Sequence, residues 1–419
     1  MKFSNFAKKF TDHSGISQLM EDLGDAMAGD QDVLMLGGGN PAHIPEMLAF
    51  FQDRMQRIIE NPAEFAHIIG NYDPPKGDKR FIAALSDLIR KEYGWNIGPD
   101  NIALTAGSQA GFFILFNMLA GEFENGERKQ ILLPMAPEYI GYAEVGLMDD
   151  LFIANKPEIE IFDDHTFKYH IAFDDLVIDS TIGAICISRP CNPTGNVLTD
   201  DEVERLSRLA EEKNVPLIID NAYGMPFPNI IFTKANMFWN ENTILCMSLS
   251  KLGLPGMRTG IVIANDEIIN AIGKFNGIIN LALGSFGPAL AYDLVKSGEI
   301  IRLSNTVIQP YYKRKAERAM SLLHEALEGV DYHIHKAEGA LFLWLWLPEL
   351  AISSEELYER LKRRGVLVLS GHYFFPGLKE DWRHKHECLR ITYSMHDDVV
   401  SAGIKIIAEE VKATTIPSS

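Results

Sequence analysis

Five short apolar runs constrain this chain more than anything else in it: Ile102 to Thr105, Ile131 to Pro134, Ala184 to Ser188, Leu217 to Asp220 and Ile244 to Ser248. Each is rich in Ile, Leu and Val and is bounded by Gly, Pro or Asn, so each reads as a buried strand. Between them the spacing changes to that of amphipathic helices. Phe81, Ala84, Leu85, Leu88 and Ile89 follow the i, i+3, i+4 pattern. Val203, Leu206, Leu209 and Ala210 do the same after Asp200 and Asp201, which read as the capping acids. Strands alternating with helices predict an α/β fold with a mostly parallel sheet flanked by helices.

After about Ser304 the pattern shifts to a long charged helix through Arg314 and Arg318 and then a strand over Gly339 to Leu347. This reads as a smaller α+β domain packed on the first. A length of 419 residues suits two domains, and no repeat or linker separates independent ones.

The net charge of -18 argues against nucleic acid or an anionic membrane surface as partner. Cys186, Cys191, Cys246 and Cys388 form no C-x-x-C pair and read as buried thiols of a reducing, cytoplasmic compartment. The apolar stretch Ala340 to Leu347 is far shorter than the ~20 residues of a membrane span. At the N-terminus Lys2, Lys8 and Lys9 surround Phe3, Phe6 and Phe10 with no apolar signal core behind them. The phenylalanines share a helical face, which serves either a membrane surface or an arm packed on its own domain or a partner subunit.

In open α/β sheets ligands bind outside the carboxyl ends of the strands. After Thr105, Gly107-Ser108-Gln109 opens an apolar helix and offers free N–H groups to a phosphate, or an ordinary serine cap. Past Pro134, Tyr139 stands where an aromatic ring can stack on a flat ligand, or in the core. Ser188 leads into a rigid turn that aims the Asn192 amide at the cleft, with Asn192-Pro193 a candidate cis bond. Asp220 ends its strand as a desolvated carboxylate in need of a positive partner, and Tyr223 follows three residues on. Ser248, Ser250 and Lys251 close the last strand, and Arg258 lies seven residues beyond the lysine.

Alone, a lysine after a serine is usually a surface residue and an aspartate after a strand is often a cap. Together the set matches one ligand. An amine forms a Schiff base with an aldehyde, serine hydroxyls and a guanidinium suit a phosphate, and a carboxylate pairs with a protonated pyridine nitrogen. Those are the functional groups of pyridoxal 5′-phosphate. In this reading Lys251, Asp220 and Tyr223 are catalytic: the lysine holds the cofactor and then moves the Cα proton as base and acid, the aspartate keeps the ring nitrogen protonated, and the tyrosine donates to the ring oxygen.

The set Tyr72, Gly107-Ser108-Gln109, Tyr139, Asn192-Pro193-x-Gly195, Asp220-x-x-Tyr223, Ser248-x-Ser250-Lys251 and Arg258 resembles the fold-type I, aspartate aminotransferase-like enzymes. The resemblance implies cofactor contacts from all of these positions. It also implies a homodimer with shared active sites, Tyr72 reaching the phosphate of the neighbouring subunit. Arg390, in Leu389-Arg390-Ile391-Thr392-Tyr393, matches the arginine that clamps a substrate carboxylate, with Gly38 and Asn192 beside it.

Three longer stretches, Ala136 to Tyr142, Asn221 to Pro228 and Gly371 to Gly377, resemble the branch of that family that exchanges amino groups between alanine/pyruvate and valine/2-oxoisovalerate. No second arginine stands in a motif near the side-chain pocket, in keeping with neutral substrates. Gly38, Tyr373, Phe374 and Phe375 are candidates for lining a small apolar pocket, or for the ordinary core. The expected division is an N-terminal arm with part of the small domain over 1–50, a large cofactor-binding domain over 51–304 and a C-terminal small domain over 305–419.

Rival readings remain at this stage. A C–S lyase, decarboxylase or synthase on the same fold would use Lys251 and Asp220 alike. A cofactor-sensing regulator needs a DNA-binding module, and about 30 residues before Val33 are too few for a winged helix. A dinucleotide oxidoreductase needs a glycine fingerprint that Gly37-Gly38-Gly39-Asn40-Pro41 does not provide. His384, His386, Glu387 and Cys388 carry metal-ligating groups, but they fall in a polar run read as an exposed loop, and no metal is expected.

Overall fold

The computed structural model describes residues 2–11, 24 and 33–414. Residues 1, 12–23 and 25–32 of the expected N-terminal arm lie outside the described residues. Its helix Asn5–Thr11 packs on the protein's own surface, with the Phe10 ring 6.2 Å from Phe113 and Lys9 2.7 Å from Asp149. Among the described residues no helix is long and apolar enough to cross a membrane.

An eight-stranded sheet forms the centre. Thr243–Ser248, Leu217–Asp220, Ile182–Ser188, Arg128–Leu133 and Phe152–Ala154 lie parallel, in that order. Alternate side chains enter two separate cores. Ile131, Leu133, Ala184, Cys186, Ile218 and Cys246 join Phe112, Leu115 and Phe116 on one face. Leu132, Ile185, Ile187, Leu217, Ile219 and Met247 pack into the larger core on the other. Burial on both faces is why these strands read as unbroken apolar runs.

Sequence reading missed the strand Gly260–Ile263, which inserts between Ile102–Thr105 and Thr243–Ser248 and is antiparallel to both. Ile102–Thr105 is thus tied to the parallel group only through an inverted strand.

The helices start and stop by local chemistry. Asp78 accepts from the N–H groups of Arg80 and Phe81 to begin Lys79–Tyr93, which ends at Gly94 with φ 69°. Helix Asp200–Glu212 is capped by Thr199, with Glu202 reaching back to the Thr199 N–H. Asp200 and Asp201 sit in its first turn instead of capping it.

A second, six-stranded sheet runs in the order Leu369–Ser370, Cys388–Thr392, Phe342–Trp346, His333–His335, Thr166–Ile171, Pro157–Ile161. The last two strands come from the middle of the chain. Leu34–Met35 pairs in parallel with Val366–Leu367, and the Thr392 N–H donates to the Leu36 carbonyl. These contacts carry the segment 37–40 over the carboxyl ends of the central sheet.

Candidate active site

The helix Ser108–Leu119 begins at Gly107, whose φ of 86° favours glycine, and no side chain caps it. Its first N–H groups therefore face outward beside Arg258. A Cβ at Gly107 would stand 2.2 Å from Arg258 Nη2, so the guanidinium lies directly over this turn. The turn 248–259 closes on the same point. Ser248 Oγ accepts from the Ser250 N–H at 3.0 Å and shapes the turn, while no hydrogen bond among the described residues engages the Ser250 hydroxyl. An uncapped helix start, a hydroxyl and an exposed guanidinium together suit a phosphate.

Asp220 and Ser188 are register partners at the ends of adjacent parallel strands. Asp220 is 9% exposed. Its Oδ1 accepts from the Ala222 N–H at 3.0 Å and its Oδ2 from the Tyr142 hydroxyl at 2.8 Å. Burial pushes its pKa up to about 6, against the pull of Tyr142. A carboxylate desolvated this way gains most from a cationic partner.

The Lys251 amine donates to the Gly39 carbonyl at 2.5 Å and lies 5.4 Å from the centre of the Tyr223 ring. Burial, reinforced by Arg390, lowers its pKa to about 8. The lowering brings the free amine, the form that attacks an aldehyde and accepts a proton, within easier reach near neutral pH, where the ammonium still predominates.

Arg390, on the strand Cys388–Thr392, is 2% exposed. Nη1 donates to Asn192 Oδ1 at 2.7 Å and Nη2 to the Gly37 carbonyl at 2.5 Å, while Nε has no partner among the described residues. Phe342 and Phe374 flank the guanidinium at 4.1 and 5.2 Å from their ring centres. No carboxylate of the described residues pairs with it, and burial lowers its pKa to about 10. A buried, uncompensated fork-shaped cation is a receptor for a carboxylate.

Gly38 lies between the two glycines whose carbonyls meet Arg390 and Lys251. Tyr139 is half-buried, its ring edge-on to Tyr142 at 5.4 Å. The Gln109 side chain turns to the Gly141 carbonyl at 2.7 Å. Tyr72 stands apart at 82% exposed. Asn192-Pro193 is trans, and the nearby cis bond is Arg189-Pro190.

The loop reading of His384 is corrected: it is buried with Glu387 and Cys388 and its Nε2 meets the Tyr169 hydroxyl. Apolar burial lowers its pKa to about 3, so it is a neutral core histidine. Among the described residues no three His, Cys, Asp or Glu side chains gather as metal ligands. Tyr142 and Glu138 carry no role of their own in the sequence pattern; their polarity so close after a strand end is the signal for them.

The uncapped helix start, the desolvated carboxylate and the lowered amine fit pyridoxal phosphate group for group. Aminotransferase class I and II is the family whose pattern matches, over residues 31–407. The chain is 50% identical over 412 residues to the valine–pyruvate aminotransferase of Escherichia coli K12, covering 98% of each. It is similar to the crystal structure of the valine–pyruvate aminotransferase from Salmonella typhimurium LT2, with TM-score 0.87, 51% identity, and coverage of 95% of this chain and 98% of that one. The fold extends to a kynurenine aminotransferase from Pyrococcus horikoshii, at TM-score 0.77 and 22% identity over 98% of this chain and 97% of that one.

Proposed function

The chain belongs to the class I and II aminotransferases, a pyridoxal phosphate-dependent family acting on amino and keto acids, and on that premise we propose that it exchanges amino groups between L-alanine/pyruvate and L-valine/2-oxoisovalerate. The observation that carries this is the Arg390 guanidinium, held between Phe342 and Phe374 and paired with no carboxylate of the described residues. It offers one carboxylate receptor with apolar walls, which suits a monocarboxylate amino acid with a small apolar side chain.

When bound, the cofactor supplies an aldehyde for the amino group and an electron-withdrawing ring. The chain's residues do the rest. Ser108, Ser250 and Arg258 hold the phosphate, with Gly107, Gln109 and Ser248 shaping that cradle. Asp220 would keep the ring nitrogen protonated, Tyr139 and Asn192 would border the ring, and Tyr223 would donate to its oxygen. Lys251 would take the proton from the substrate Cα and deliver it to the cofactor's aldehyde carbon, on the far side of the intervening nitrogen, so amino donor and keto acceptor react in turn, by a ping-pong scheme. Arg390, with Gly38 and Asn192, fixes the substrate carboxylate and thereby sets the Cα–H toward the amine.

L-Valine alone is expected to yield one equivalent of 2-oxoisovalerate per loaded site, followed by mass spectrometry with no acceptor present. Valine that binds without releasing keto acid would favour another reaction class.

The reading extends to a cytoplasmic homodimer and to the division 1–50, 51–304 and 305–419. Exposed Tyr72, with Ile278 and Leu281 also exposed, supports a second copy seated there. Mixing the inactive Tyr72→Ala and Lys251→Ala dimers should then restore activity toward roughly a quarter of wild type, because random pairing makes hybrids with one intact shared site. No recovery after demonstrated subunit exchange would place Tyr72 outside the partner's site.

A further inference from the structure

Behind Asp220 runs a buried line of polar groups that the proposed chemistry does not use. Glu138, 2% exposed, follows the cis Ala136-Pro137 bond, and its N–H donates to the Phe374 carbonyl at 2.8 Å. Its Oε1 accepts from the Ser188 N–H at 2.9 Å, and its Oε2 lies 2.5 Å from Ser188 Oγ. Ser188 Oγ lies 3.3 Å from the Tyr142 hydroxyl, which reaches Asp220 Oδ2 at 2.8 Å. Two buried carboxyls are thus joined through two hydroxyls; among the described residues no Lys or Arg pairs with Glu138, and the Cys191 thiol lies 4.0 Å from its Oε2.

Counting protons along this line decides its state. If Glu138 is ionised, Ser188 donates to it and Tyr142 donates to Asp220, and the contact between the two hydroxyls has no proton. If Glu138 carries a proton on Oε2, it donates to Ser188, Ser188 to Tyr142 and Tyr142 to Asp220. Every contact is then filled, and every donor points toward one ionised carboxylate.

We propose that Glu138 is a positioning residue that holds the shared proton of this line, leaving Asp220 as its single negative charge and aiming Tyr142 at it. The assignment rests on the reading of Asp220 as the partner of the cofactor's ring nitrogen. Burial raises the Glu138 pKa to about 8, above the value of about 6 at Asp220, the order the line requires. The other titratable groups facing the pair include Tyr139, Tyr142, Tyr223, Cys186, Cys191 and Cys246, all pushed up by burial and neutral. The Lys251 ammonium draws the Asp220 value down.

The test uses cofactor-free protein first. Glu138 has a folded pKa above its unfolded one. Between about pH 5 and 8 the unfolded state releases a proton that the folded state keeps, so the folding equilibrium constant should fall about tenfold per pH unit from this group. Glu138→Gln is expected to remove that dependence, read from unfolding curves across this range. A purely packing role would shift stability equally at every pH. A dependence identical in wild type and Glu138→Gln overturns the proposal.

If Glu138→Gln does not fold, infrared titration of the wild-type protein, unlabelled and with 13C-labelled glutamate, reads the state directly. A label-sensitive protonated-carboxyl stretch persisting to about pH 7 is expected for a folded pKa near 8, and its absence overturns the proposal. Asp220→Asn separates the underlying reading: unchanged affinity for pyridoxal phosphate would remove Asp220 from the ring nitrogen while leaving the Glu138 proton measurement standing.

Discussion

Lys251→Ala is expected to slow amino-group transfer by at least the 10²–10⁴-fold, roughly, that a positioned general acid–base contributes, and to abolish the visible band of the lysine-bound cofactor. The amine that binds the aldehyde and the amine that moves the proton are the same atom, so the loss extends beyond proton transfer alone. The substitution should not weaken the cofactor-free fold. Lys251 has a folded pKa lowered to about 8 from 10.5, so its stability contribution rises with pH between those values. Below about 8 the folded state carries a poorly solvated ammonium, and removing it relieves that cost. The expected result at pH 7 is an inactive apoprotein with an unfolding temperature equal to or above wild type. Single-turnover rates with L-valine, absorption spectra and thermal unfolding check it together. A retained visible band, or a rate within tenfold of wild type, would take Lys251 out of the reaction.

How much of this site was legible in the chain depended on how local each signal is. Asp220, Ser248 and Lys251 stand at the ends of strands buried on both faces, and such strands announce themselves as continuous apolar runs. The helix start at Gly107-Ser108 is likewise a local pattern of glycine, serine and a following apolar helix. Gly260–Ile263 was missed because its inverted direction depends on pairing with two strands far away in sequence, and no window of residues records that. The placing of Pro157–Ile161 and Thr166–Ile171 in the second sheet is illegible for the same reason, because it depends on pairing with His333–His335.

The substrate receptor shows the limit from another side. The resemblance supplied Arg390, but the Gly37 and Gly39 carbonyls that hold Arg390 and Lys251 belong to backbone and leave no side-chain signature. Tyr142 is fully buried against Phe112 and Phe116 and reads as core, and only its hydroxyl at Asp220 shows otherwise. Buried polar networks share this property: the apolar body of the side chain satisfies the hydrophobic pattern while the polar tip does the chemistry. His384 shows the reverse error, where polar neighbours suggested an exposed loop and Trp346, Tyr169 and Trp382 enclose the ring instead.

Arg390→Ala is expected to raise KM for L-valine, L-alanine and pyruvate together, by about 10- to 150-fold, the equivalent of roughly 1.5–3 kcal/mol for a charge-assisted contact. All three share the carboxylate and differ elsewhere, so a common increase identifies the common group. The size should be constant across neutral pH, since the lowered Arg390 pKa of about 10 keeps the guanidinium charged there. Affinity for the cofactor should change little, because Arg390 bonds to Asn192 and Gly37 and not to the phosphate cradle. Arg390→Lys keeps a charge but not the fork that reaches both partners, so it should recover only part of the loss. Steady-state kinetics varying each substrate in turn decide the matter. An increase confined to the amino acids would assign Arg390 to something other than the carboxylate, and an unchanged KM for all three would leave its buried charge without a function in substrate binding.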